Sequence, residues 1–199
     1  MKKRLIIAFA LLVLFSTYKP QQLSFTNKFY IEEIKIENNL IVSSNKIKKN
    51  LFFLYETNLI NLNYDEIESK LKKLDFIEGY EIKKIYPKKL IIKIFEKQPI
   101  AVLHHKKAKF YLSENIELIN YIDLEDYNNL PTVFGDRESF KELYHKLKKI
   151  NFPLDLVKNF YLYESKRWDI QTNKEILIKL PSKEYIKSLK NFLNLKKDN

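Results

Sequence analysis

Hydrophobic and polar positions alternate along this chain with a period that changes several times. Residues 29–39 read FYIEEIKIENN. Ile34 and Ile36 alternate with Glu33, Lys35 and Glu37, a period of two that predicts a strand. Phe29 and Ile31 sit on the other parity, which places a bulge or kink near Glu32. Ser43 or Ser44 caps a predicted helix through Tyr55, whose apolar residues Ile47, Leu51, Leu54 and Tyr55 recur at helical spacing. Asn63, with Glu66 at the capping-box position, opens a second helix carrying Ile67, Leu71 and Leu74. Gly79 is read as the end of this helical unit. Residues 80–86 and 90–95 are read as strands separated by Pro87. Neither helix can bury its stripe alone, so both are expected to cover one face of a three-stranded sheet.

Pro99 opens a second unit. Its strand candidates are 100–103, 110–112 and 116–119, joined by turns at 106–107 and 114–115. Residues 128–136 are read as a loop. Asp136 caps a helix with the stripe Phe140, Leu143, Leu147 and Ile150, closed by Pro153. Three more strands follow at 160–163, 167–171 and 176–180. Trp168 and Ile170 alternate with Arg167, Asp169 and Gln171, the pattern of a half-exposed strand. Pro181-Ser182 opens a terminal helix with Ile186, Leu189 and Leu193 inward.

The N-terminus departs from this alternation. Lys2, Lys3 and Arg4 precede an unbroken apolar run: Leu5, Ile6, Ile7, Ala8, Phe9, Ala10, Leu11, Leu12, Val13, Leu14 and Phe15. The run suits a membrane anchor, a cleaved signal peptide or a buried helix. Its N-terminal place and basic flank disfavour the buried helix. Residues 16–20 offer no small-x-small cleavage site, which favours a retained anchor with Tyr18 at the interface. The basic flank then holds the N-terminus in the cytoplasm, with the bulk of the chain periplasmic.

Composition narrows the chemistry. The formal charge is +11, but arginine occurs only at Arg4, Arg137 and Arg167, and the lysines are interleaved with acids along the chain. No arginine stripe is available for reading bases, so nucleic acid is not expected as a partner. Cysteine is absent, which removes thiolate catalysis and cysteine-ligated metal. Gly79 and Gly135 are the only glycines, too few for a phosphate loop. His104 and His105 are adjacent on a strand and point to opposite faces, and His145 is distant in sequence, so a shared metal is not expected. No catalytic constellation, cofactor or small-molecule substrate is expected. Trp168 is read first as a core anchor and second as a partner contact, and Arg167 as pointing outward.

Several segments carry a family resemblance. Residues 29–38, Val42-Ser43, 58–62 (NLINL) and Ile85-Tyr86-Pro87 resemble a POTRA domain. Residues 90–101, LIIKIFEKQPIA, resemble the POTRA exit of FtsQ/DivIB proteins. Leu130-Pro131 with Gly135, then 166–170 (KRWDI) and Lys179-Leu180-Pro181, resemble the FtsQ β-domain. The resemblance implies an α+β protein: residues 1–18 as cytoplasmic stub and single transmembrane anchor, 19–27 as linker, 28–97 as a β-α-α-β-β POTRA domain, and 98–199 as a mostly antiparallel β-domain with flanking helices. It implies a non-enzymatic inner-membrane scaffold at the division septum, with FtsB-like and FtsL-like partners. Family members continue into a further strand on which FtsB docks. Here the sequence stops after the terminal helix, so the chain either lacks that strand or docks its partner elsewhere. Residues 175–180 are the remaining candidate edge, with Ile176, Ile178, Leu180, Arg167 and Trp168 as candidate contacts. Ile178→Pro is expected to block pairing there. The alternative reading is a POTRA-bearing chaperone or an outer-membrane assembly component. The alternating ten-residue segments of a membrane barrel do not follow the first unit.

Overall fold

A computed structural model describes residues 2–17, 28–182 and 184–197. The segment read as a linker, 19–27, falls outside the described residues, as do Tyr18 and Lys183.

The first half folds in the order expected. Strand β1 (Glu33–Glu37) is followed by helix α2 (Ser44–Asn50), helix α3 (Tyr64–Leu71), and strands β2 (Ile77–Ile85) and β3 (Lys89–Glu96). The sheet order is β1-β3-β2, with β1 parallel and β2 antiparallel to β3. The kink expected near Glu32 is a bulge, because the amides of Glu32 and Glu33 both donate to the carbonyl of Lys88, at 2.9 and 3.3 Å. It lets Ile31 and Ile34 face the same core despite their opposite parity. Ser43 accepts from the Lys46 amide and Asn63 from the Glu66 amide, which starts both helices where the capping residues stand.

Two expectations need correction here. The first helix does not run unbroken to Tyr55. Leu51 leaves the helical region (φ −104°, ψ 19°), and Phe52–Glu56 continues as a 3₁₀ turn that still buries Leu54. Gly79 does not end the helical unit. It lies inside β2, at the register shift that follows Ile77. The core matches the two-helix cover: Ile34, Leu90, Ile92 and Ile94 of the sheet pack against Ile47, Leu51, Leu54, Ile67 and Leu71.

The second half is a seven-stranded sheet in the order β10-β9-β8-β7-β4-β5-β6. Its strands are β4 (Pro99–His105), β5 (Ala108–Ser113), β6 (Leu118–Asn120), β7 (Thr132–Phe134), β8 (Val157–Leu162), β9 (Trp168–Thr172) and β10 (Leu177–Lys179). β7 lies in the stretch read as a loop, parallel to both neighbours. The remaining pairs are antiparallel. Ile116, read as part of a strand, is instead a buried turn residue with φ of 59°. Helix α4 (Arg137–Lys149), capped by Asp136, buries Phe140, Leu143, Tyr144 and Leu147 on one face of the sheet. Helix α5 (Tyr185–Lys197) adds Leu189 to the same core.

The two sheets share a junction. The Lys97 amide donates to the carbonyl of Phe76 at 2.7 Å, and the Phe76 ring meets Tyr111 edge-on at 6.1 Å. Tyr111 is 1% exposed and packs with the first core although it belongs to β5. Asn120 donates to Asp75 at 2.7 Å and Lys97 pairs with Glu117 at 2.6 Å around that contact. Among the described residues, no side chain of helix α1 (Lys2–Thr17) belongs to either core.

Candidate functional site

The sheet edge read as a docking strand is built from β9 outward. Trp168 is 5% exposed, its ring edge-on to Phe140 and Phe160 at 6.2 and 6.4 Å. It is the core anchor of the first reading, holding β9 from beneath. A Cβ added at Gly135 would lie 2.9 Å from Leu162 Cβ and 3.1 Å from the Trp168 ring, so glycine is what lets the chain pass there. β9 is not half-exposed. Asp169, on its outer face, is fully buried and takes the Arg167 guanidinium at 3.1 Å from Nε and 3.4 Å from a terminal nitrogen. Arg167 in turn lies over the Tyr163 ring at 4.9 Å. The charge expected to project freely is thus largely engaged.

β10 pairs with β9 on one side and, among the described residues, with nothing on the other. Its turn is fixed. The Ile176 amide donates to Thr172 Oγ1 at 3.1 Å, and Asn173 donates to the Asp155 carbonyl at 2.6 Å. Lys158 reaches Glu175 at 2.6 Å, and that hydrogen bond and its charge hold the Glu175 carboxyl below its ordinary pKa.

The backbone pattern decides which groups face outward. The Thr172 amide bonds to the Ile176 carbonyl, and the Leu180 amide to the Trp168 carbonyl. With Ile178 opposite Ile170 in the same register, Ile176, Ile178 and Leu180 all direct their backbone groups at β9. The outward N–H and C=O groups belong to Leu177 and Lys179. Ile178→Pro would therefore break the internal ladder, and the residues whose amides line the open edge were not among the candidates. The parity of the free amides depends on which side β9 lies, and no periodicity contains that. Side chains follow the same division. Ile178 and Leu180 pack on the core, Leu177 is 47% exposed, and Ile176 is exposed rather than buried.

Beyond this edge the outer face carries an aromatic row. Phe134 and Tyr161 stack at 5.0 Å, and His104 meets Phe134 at 5.1 Å. His105 stands exposed at the end of the hairpin, and His145 lies on α4. No group of acids and histidines able to hold a metal occurs among the described residues.

Along α1 the side chains of Leu5, Ile6, Ile7, Phe9, Leu11, Leu12, Val13 and Phe15 are exposed. At 16 residues the helix is about 24 Å long, against about 30 Å for a bilayer core. No helix of the described residues is long and apolar enough to cross a membrane.

Residues 29–97 match the family model described as POTRA domain, FtsQ-type. The cell division protein FtsQ of Rickettsia typhi is 30% identical over 175 residues, which is 86% of this chain and 65% of that protein. FtsQ of Agrobacterium fabrum is 23% identical over 81% of this chain and 51% of its own length. The chain thus spans less than two thirds of either relative. The major extracytoplasmic domain of DivIB from Geobacillus stearothermophilus aligns over 49% of this chain and 89% of that one, at 17% identity and a TM-score of 0.36. Residues 29–97 are thus matched as an FtsQ-type POTRA domain, and the chain is similar to cell division protein FtsQ on into the second sheet.

Proposed function

We propose that this protein is a non-enzymatic scaffold of the division machinery, held at the inner membrane by its N-terminal apolar segment, of which α1 is the described part, with its two sheets in the periplasm. It gathers FtsB-like and FtsL-like proteins at the septum. The open outer edge of β10 carries this reading. An unpaired edge offers free N–H and C=O groups to an added strand, and here those groups belong to Leu177 and Lys179. The outer face beside it is apolar at Leu177 and basic at Lys179, which suits a partner strand of mixed apolar and acidic character. Division-protein relatives support the wider role.

The test is capture of an FtsB-like partner by two proline variants. Leu177→Pro removes an outward donor at an edge position that tolerates proline, and capture should be lost while circular dichroism stays that of the parent. Ile178→Pro should instead disturb the β9–β10 ladder and show in the dichroism. Full capture by a folded Leu177→Pro protein would rule out docking at this edge.

A further inference from the structure

The end of the first sheet where the chain enters carries exposed apolar side chains that partner capture leaves unused. The Leu59 amide donates to the Phe29 carbonyl at 2.8 Å, Tyr30 bridges to Asn58, and the Lys88 carbonyl takes two amides of the β1 bulge. Segments 28–33, 57–60 and 85–89 therefore meet at one end, opposite Glu96 and the junction with the seven-stranded sheet. There Tyr30 is 42% exposed, Ile60 56%, Ile85 36% and Tyr86 57%. Phe29 braces Tyr86 edge-on at 5.8 Å. Tyr30 and Ile85 stand on a paired backbone, the Ile60 amide is held by the Asn58 side chain at 2.9 Å, and Tyr86 sits in the β2–β3 turn braced by Phe29, so their exposure is built into the fold.

Lysines ring the patch. Lys88 and Lys89 pair with Glu32 and Glu33, which neutralises the acids of the bulge. Lys28 and Lys83 make no ion pair among the described residues, and Lys84 lies over the Tyr64 ring at 5.6 Å. The local surplus is positive. Tyrosine, phenylalanine and isoleucine within a ring of lysine is the composition that settles in a headgroup layer. The tether is short as well. Helix α1 ends at Thr17 and the described fold resumes at Lys28. Residues 18–27, however arranged, reach at most roughly 35 Å.

We propose that this end of the first sheet docks into the headgroup layer of an anionic bilayer, with Tyr30, Ile60, Ile85 and Tyr86 at the interface. The docked sheet would hold the junction with the seven-stranded sheet at its far end, away from the membrane. The proposal rests on α1 being the anchor. The chain has no cysteine, so single labels are clean: a fluorophore at Tyr86→Cys, and a control at Leu40→Cys, 85% exposed at the opposite end of the same sheet. The full chain is reconstituted into phosphatidylcholine vesicles with and without phosphatidylglycerol, and quenching by brominated lipid is read. Quenching at position 86 should exceed that at position 40 severalfold in the anionic vesicles. Lys83→Ala should weaken docking about fivefold. Equal quenching at both positions in vesicles that carry the chain through flotation would overturn the docking alone. A chain that does not float with vesicles at high salt would overturn the anchor reading and the docking with it.

Discussion

Replacing Glu96 should unpick the first sheet from its far corner. Glu96 ends β3 and is 9% exposed. Its Oε2 accepts from the amides of Leu40 and Ile41 at 3.0 and 2.9 Å, and its Oε1 from Val42 at 2.8 Å. One carboxylate thus satisfies three successive amides of the β1–α2 connection and delivers the chain to the Ser43 cap. It is also the glutamate of the EKQPIA segment that carried the family resemblance, so the motif has a structural cause. Each amide bonded to a charged acceptor contributes about 1.5–3 kcal/mol, and leaving a buried one unsatisfied costs about 1–3 kcal/mol. Water reaches Leu40 and Ile41 more readily than Val42, so Glu96→Ala should cost about 3–5 kcal/mol. Glu96→Gln keeps one accepting oxygen and turns an NH₂ toward the remaining amides, for a cost of about 1.5–3 kcal/mol. With an m-value near 2 kcal/mol/M, Glu96→Ala should move the urea midpoint down by roughly 1.5–2.5 M. Equilibrium urea denaturation followed by circular dichroism reads this. A shift below about 0.5 M would refute the three-amide clamp as a source of stability, since the loss of even one bond of this kind exceeds it.

Other substitutions probe the remaining joints. Ile92→Asp places a carboxylate at the centre of β3, at a fully buried position facing both helices, and should cost more than about 4 kcal/mol or abolish folding of the first sheet; a parental melt would refute the face assignment. Gly135→Ala drives a methyl to within 2.9 Å of Leu162 Cβ, and thermal denaturation should show a loss of about 1–3 kcal/mol. Asp136 accepts from the amide and hydroxyl of Ser139, both at 2.8 Å. Burial pushes its carboxyl up, but the Ser139 hydrogen bonds, with the Lys166 charge and the Glu138 amide, together outweigh that and leave it below the ordinary carboxylate value. Its contribution is present above the unfolded pKa, near 4, and is lost as pH falls through the lower folded value. Asp136→Asn retains a capping oxygen but not the charge, so it should lose that contribution at pH 7 and flatten the stability profile below about pH 4; an unchanged acid limb in urea titrations would refute the assignment.

Much of the first sheet was legible because each local signal agreed with the next. Asn63 and Ser43 stand where the helices begin, and the parity break at Glu32 is a bulge. β7 escaped notice because three residues between Pro131 and Gly135 are too few to show a period, and its pairing comes from β4 and β8 rather than from its own composition. Asp169 read as solvent-facing because alternation carries no information about Arg167 folding back over it. The edge strand itself was legible at residues 176–180. Its outward amides were not, because register with β9 sets them.

Hydrogen exchange along β10, with and without an FtsB-like partner, tests strand capture most directly. In the free protein Ile178 and Leu180 should be protected by β9, while Leu177 and Lys179 exchange rapidly. On saturation with partner, Leu177 and Lys179 should become protected and the other two should stay so. A bound partner that leaves the Leu177 and Lys179 amides exchanging at their free rates would contradict docking at this edge.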